Sequence, residues 1–130
     1  LGTARRLRDA AQRLYDAQAL DKEPDAADRK FLHARYAEAL AGASLDDEGS
    51  VLEFSWPEVT KDLEYPLRPL AWAAMQLLLS EDRERIGRCQ DDRGCGFLFI
   101  DTSKNHSRRW CSMEGCGNRA KAKRFYERRE

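Results

Sequence analysis

A chain of 130 residues and 15.0 kDa holds one ordinary domain, or one core with a small module attached. Apolar residues make up 42% and charged residues 35%, enough for a real core and against wholesale disorder. The longest apolar stretch, Leu70–Leu79 interrupted by Gln76, is too short to span a bilayer. No apolar run follows the three arginines of Leu1–Arg8, as a signal peptide requires.

The net charge is zero but unevenly spread: residues 1–80 carry net −4, residues 81–103 net −2, and residues 104–130 net +6. This pattern describes an acidic body with a basic module, and it bears on partners rather than on fold. The chain opens on Leu rather than Met and enters a helix almost at once, which reads as a fragment of a longer protein.

Residues 3–20 have the spacing of an amphipathic helix, with Leu7, Ala10, Ala11, Leu14, Ala17 and Gln18 on one face. Asp25 is placed to cap a second helix, with Asp28 in its first turn, where the helix dipole favours negative charge. That helix runs to about Leu40, burying Leu32, Tyr36, Ala39 and Leu40, and stops at Gly42. Ser44-Leu45, a turn over Asp46–Gly49, and Val51–Trp56 then read as a hairpin whose Leu52, Phe54 and Trp56 face is apolar. Pro66 and Pro69 open a third helix. It is apolar nearly all round, as a central buried helix is, and the expected core includes Leu70, Trp72, Ala74, Leu77 and Phe54.

All four cysteines fall within 28 residues, in the pattern C-x5-C-x15-C-x4-C, and the first 88 residues contain none. A disulfide framework would be spread through a small secreted chain. Two close pairs around an insert, in a helix-rich chain suited to a reducing compartment, are instead the arrangement of a tetrahedral zinc site. Cys89, Cys95, Cys111 and Cys116 are the expected ligands, a disulfide or an iron site being the other uses of such thiols. Phe97–Ile100 is a strand, and Arg108-Arg109-Trp110 returns to Cys111, giving a hairpin between the pairs. A helix follows from about Cys116 to Arg128. The whole is an α+β, mainly helical chain: a helical body with a small β-hairpin over 1–85, then a treble-clef-like zinc finger over 86–130.

The string Cys116-Gly117-Asn118-Arg119, within Arg109–Arg124 and preceded by Phe97–Ser103, resembles the CGNR-type zinc finger over residues 88–129. The body, with its Pro66-Leu67-Arg68-Pro69-Leu70-Ala71 helix start, is similar to the later part of the ABATE domain. The resemblance implies a stress-induced bacterial transcription regulator, lacking here the usual N-terminal segment. Duplex DNA is the implied partner, with a small-molecule or protein effector on the body, no membrane, and a cytoplasmic setting.

Ala122, Phe125 and Tyr126 offer the last helix its apolar side and are expected to pack inward. Arg119, Lys121, Lys123, Arg124 and Arg128 then face outward, joined by Arg108 and Arg109, as candidate nucleic-acid contacts. Arg119, in the first turn, is placed to read a base edge, or else turns inward to brace the zinc turns against Asp101 or a carbonyl. Two other readings fit the same residues: a zinc-stabilised module for protein or RNA, and a thiol-based redox sensor. The pattern speaks against an enzyme. His33 and His106 have no evident nucleophile or carboxylate partner, and neither a phosphate-cradling glycine loop nor an H-E-x-x-H helix is present.

Overall fold

A computed structural model describes residues 1–48, 51–57 and 62–129. Among them the elements run α1 (Gly2–Ala19), α2 (Ala26–Ala41), β1 (Ser44–Glu48), β2 (Val51–Ser55), α3 (Leu67–Leu79), β3 (Ile86–Arg88), β4 (Leu98–Ile100) and α4 (Asn118–Glu127). The chain divides into two compact units, Leu1–Leu14 with Pro24–Ser80, and Tyr15–Glu23 with Glu81–Glu130. No helix among the described residues is long and apolar enough to cross a membrane.

In the first unit, α1 buries Leu7, Ala10, Ala11 and Leu14 of the stripe its spacing predicts, while Ala17 is half-buried and Gln18 exposed. Asp25 caps α2 by accepting a hydrogen bond from the Asp28 N–H at 2.9 Å, and the helix ends at Gly42, whose N–H bonds the Glu38 carbonyl at 3.1 Å while the Ala43 N–H bonds the Leu40 carbonyl at 3.2 Å. The core is Leu7, Leu14, Leu32 and Ala71, with Phe31, Leu67, Ala74, Met75 and Leu78 packed against it. Two side chains expected inside α2 differ: Tyr36 is half-buried and Leu40 is exposed.

The third helix departs furthest from its expected burial. Ala71 is its sole buried residue, Trp72, Ala74 and Leu77 are half-buried, and Leu70 is 58% exposed. A helix apolar all round needs neighbours all round. Here α3 packs mainly on α2, and Leu70 and Leu79 stay exposed.

The hairpin also differs from expectation. Strand β1 extends through Glu48, pairing Leu45 with Phe54, Asp46 with Glu53 and Asp47 with Leu52, so the expected turn residues Asp46–Glu48 are strand. Gly49 of that expected turn lies outside the described residues. Leu52 and Phe54 are exposed rather than core. Trp56 is half-buried and donates its Nε1–H to the Ala39 carbonyl at 2.8 Å. Phe54, Trp56 and Trp72 form an aromatic cluster with ring centroids 5.8–6.4 Å apart.

In the second unit, β4 pairs with β3 rather than with Arg108–Trp110, setting Ile86 opposite Ile100 and Arg88 opposite Leu98. The pairing continues through the Asp101 N–H on the Arg85 carbonyl at 2.7 Å and the Cys89 N–H on the Phe97 carbonyl at 2.8 Å. The hairpin therefore carries the first two cysteines in its loop instead of lying between the two pairs. Arg109 joins through its backbone carbonyl, which accepts the Gln90 N–H at 3.0 Å.

Candidate metal centre and basic helix

Cys89 leaves β3, and in the tight loop that carries Cys95 the glycines on either side of it, Gly94 and Gly96, have φ 82° and 61°. These are left-handed conformations that glycine adopts without a Cβ clash, and they let a short loop turn both thiols to one point. Cys111 precedes, and Cys116 lies within, a one-turn π-type segment, Met113–Gly117, capped by the Ser112 hydroxyl accepting the Gly115 N–H at 2.9 Å. Gly117 lies beneath Met113 and Trp110, where a Cβ would meet the Met113 sulfur at 2.8 Å. Helix α4 follows directly.

The four Sγ atoms lie within 4.8 Å of one another. Cys95 Sγ is 3.8 Å from Cys111 Sγ, which is 3.6 Å from Cys116 Sγ, and all four thiols are free. A tetrahedral ion with metal–sulfur bonds near 2.3 Å requires sulfur–sulfur edges of about 3.8 Å. Cys89 and Cys116 are buried and Cys95 is exposed.

The thiols titrate unequally. Burial pushes Cys89 up, but the Cys111 and Asp91 backbone N–H groups and the neighbouring thiols outweigh it, and its pKa falls to about 7. Burial and the other sulfurs push Cys116 up to about 12 despite the Arg119 hydrogen bond, and burial raises Cys111 as well. Four thiolates this close oppose one another's ionisation, and a divalent cation between them removes the conflict. The donor set and its spacing fit a four-thiolate metal site.

The candidate nucleic-acid residues separate into two groups. Arg108 turns back on the finger: its Nε donates to the Trp110 carbonyl at 3.0 Å, its Nη2 to the Cys111 carbonyl, and its guanidinium lies 4.3 Å from the Phe99 ring centroid. Arg109 donates from Nε to Gln90 at 2.9 Å and lies over Trp110. Arg119 bonds Cys116 Sγ at 2.8 Å and Asp91 at 3.1 Å, and Lys123 pairs with Asp92. By contrast, the Lys121 and Arg128 side chains form no hydrogen bond or ion pair among the described residues. Arg124 makes one 3.4 Å contact to the Ala120 carbonyl a turn earlier.

The apolar side of α4 does not pack inward, which corrects the expected orientation. No residue of α4 is buried, Phe125 is 53% and Tyr126 69% exposed, and their rings meet edge to face. Polar staples from Asp91 and Asp92 hold the helix where an apolar face was expected to. Neither acid stands out in the sequence, because each meets its partner across a separation of 28 or 31 positions. Asp101 does not meet Arg119. It is buried and accepts bonds from the Ser103 N–H, the Ser103 hydroxyl and the Arg108 N–H, at 2.8, 2.6 and 3.0 Å, closing the loop after β4.

Four thiols on a knuckle and a helix start, in a chain that also holds a helical body, define a metal-finger protein. The CGNR zinc finger family matches residues 85–129, and the ABATE family, described as "Putative stress-induced transcription regulator", matches residues 1–81. The chain belongs to the ABATE family and carries the CGNR finger behind it. No curated protein matches it significantly.

Proposed function

We propose that this chain is a cytoplasmic transcription regulator that holds one zinc ion on Cys89, Cys95, Cys111 and Cys116 and binds duplex DNA through α4. Thiolate donors at tetrahedral spacing suit zinc, and with all four positions taken by protein no site remains for a catalytic water. The metal's role in this reading is structural and the protein is not an enzyme.

One observation carries the DNA reading: α4 has no buried residue, and with its capping Arg128 it sets Lys121, Arg124, Phe125 and Arg128 on one stripe. Positions i, i+3, i+4 and i+7 share a helix face, and cations so arranged neutralise phosphates, the main source of non-specific affinity. Arg119 and Lys123 contribute less, because Asp91 and Asp92 already hold them. The exposed Phe125 and Tyr126 favour a second reading, a protein-docking helix.

The test is titration of the zinc-loaded full chain against a random duplex pool at low salt. Binding that weakens steeply with salt supports the DNA reading. No affinity for any duplex ends it in favour of the docking helix.

A further inference from the structure

Arg119 sits three residues beyond the ligand Cys116, in the first turn of α4, and its side chain folds back onto the metal centre. One nitrogen, Nη2, lies 2.8 Å from Cys116 Sγ and 3.1 Å from Asp91 Oδ2. The Asp91 side chain is 5% exposed and belongs to the loop joining the first two cysteines. Its backbone carbonyl accepts the Gly94 N–H at 3.0 Å, so the carboxylate is fixed in the loop that presents Cys89 and Cys95. One turn further along α4, Lys123 pairs with the adjacent Asp92.

We propose that Arg119 is a positioning residue of the metal centre: it donates to the Cys116 thiolate and, through Asp91, locks the first cysteine loop to the helix that carries the last ligand. Three physical points support this role. Four thiolates around a divalent ion leave two negative charges, and a guanidinium at contact distance offsets one of them. A donor on sulfur lowers the electron density that the thiolate presents, and such outer partners orient the ligand they touch. Among the described residues no other cysteine sulfur receives a bond from a charged side chain, so Arg119 acts on one chosen ligand. This role rests on the metal reading and is independent of the DNA reading. It also assigns the last residue of the Cys116-Gly117-Asn118-Arg119 string to the metal rather than to a base edge.

The experiment uses the full chain loaded with zinc or with cobalt(II), as wild type, Arg119→Ala, Arg119→Lys and Asp91→Asn. Loss of an outer partner typically weakens metal binding about 10–100-fold. Arg119→Ala is therefore expected to transfer zinc to a chromogenic chelator at least about tenfold faster. Its thiolate-to-cobalt charge-transfer band should move to longer wavelength, because sulfur without its donor gives up an electron more easily. A general loss of folding stability would not move that band in a loaded protein. Arg119→Lys should restore part of both properties, and Asp91→Asn should fall between wild type and Arg119→Ala.

Should Arg119→Ala fail to load metal, Asp91→Asn carries the test: a shifted band with faster transfer supports the role, and a wild-type band and rate overturn it. Wild-type spectra and transfer rates in Arg119→Ala also overturn it, and with loss of base preference they return Arg119 to DNA contact. A wild-type chain that binds neither metal refutes this proposal together with the zinc reading. Failure of DNA binding alone, with the band and rate changes present, leaves the Arg119 role supported.

Discussion

Arg13 and Asp28 are joined by two parallel hydrogen bonds of 2.7 Å, Nε to Oδ2 and Nη2 to Oδ1. The pair links α1 to the first turn of α2, where the carboxylate also meets the positive end of the helix dipole. The Arg13 hydrogen bonds hold the Asp28 carboxyl below the usual range, against the opposing effect of burial. A depressed carboxyl pKa contributes stability that is complete above the unfolded value, near 4, and is lost as pH falls through the folded value. Arg13 is 58% exposed, so water screens the pair. Asp28→Asn should therefore cost about 1 kcal/mol at pH 7. The difference from wild type should shrink below about pH 4. Urea unfolding followed by helical circular dichroism at pH 7 and pH 3 checks both.

Burial separates two leucines that sequence pattern treats alike. Leu32 is fully buried and Leu70 is 58% exposed. Leu32→Ala should destabilise the chain by about 2–5 kcal/mol, and Leu70→Ala by under about 0.5 kcal/mol. Urea midpoints of the two variants decide whether α3 turns Ala71 or Leu70 to the core.

Metal removal should act on the second unit first. A core of Cys89, Phe99 and Cys116, with Trp110 and Cys111 against it, is too small to persist without the ion. Mass spectrometry under native conditions should find one zinc per chain. Chelator, or Cys116→Ser, should abolish amide protection in β3, β4 and α4 while α2 and α3 keep theirs. Hydrogen exchange reads each segment separately.

The first cysteine loop should tolerate a side chain at one glycine better than at the other. Both Gly94 and Gly96 have positive φ, and alanine in that region costs about 1–2 kcal/mol. At Gly94 a Cβ meets nothing within 4 Å, whereas at Gly96 it would stand 2.7 Å from Arg88 Nη2. Arg88 is paired with Asp16 at 2.9 Å, so moving it disturbs a second contact. Gly96→Ala should therefore lower the melting temperature of the zinc-loaded chain more than Gly94→Ala.

Salt dependence can sort the cations of the finger. If Lys121 and Arg128 each neutralise one phosphate, replacing either by Ala should reduce the slope of log affinity against log salt by about 1. Lys123→Ala should change the slope less, because Asp92 competes with phosphate for that ammonium. Binding isotherms at four or five salt concentrations give the slopes directly.

The body's helices and the clustering of the four thiols were legible in the sequence because their signals are local. Leu7, Ala10, Ala11 and Leu14 recur at helical spacing, Asp25 and Gly42 mark the ends of α2, and four thiols in one window announce their shared use. Tertiary structure alone decided which apolar surfaces are covered and which charges are engaged. Burial of Leu70 or Phe125 depends on whether another element lies against it, a property of neighbours distant in the chain. The same holds for Arg119, whose outward or inward course turns on a carboxylate 28 positions away. Periodicity determines which residues share a face, but that face is buried only where the rest of the fold supplies a surface to meet it.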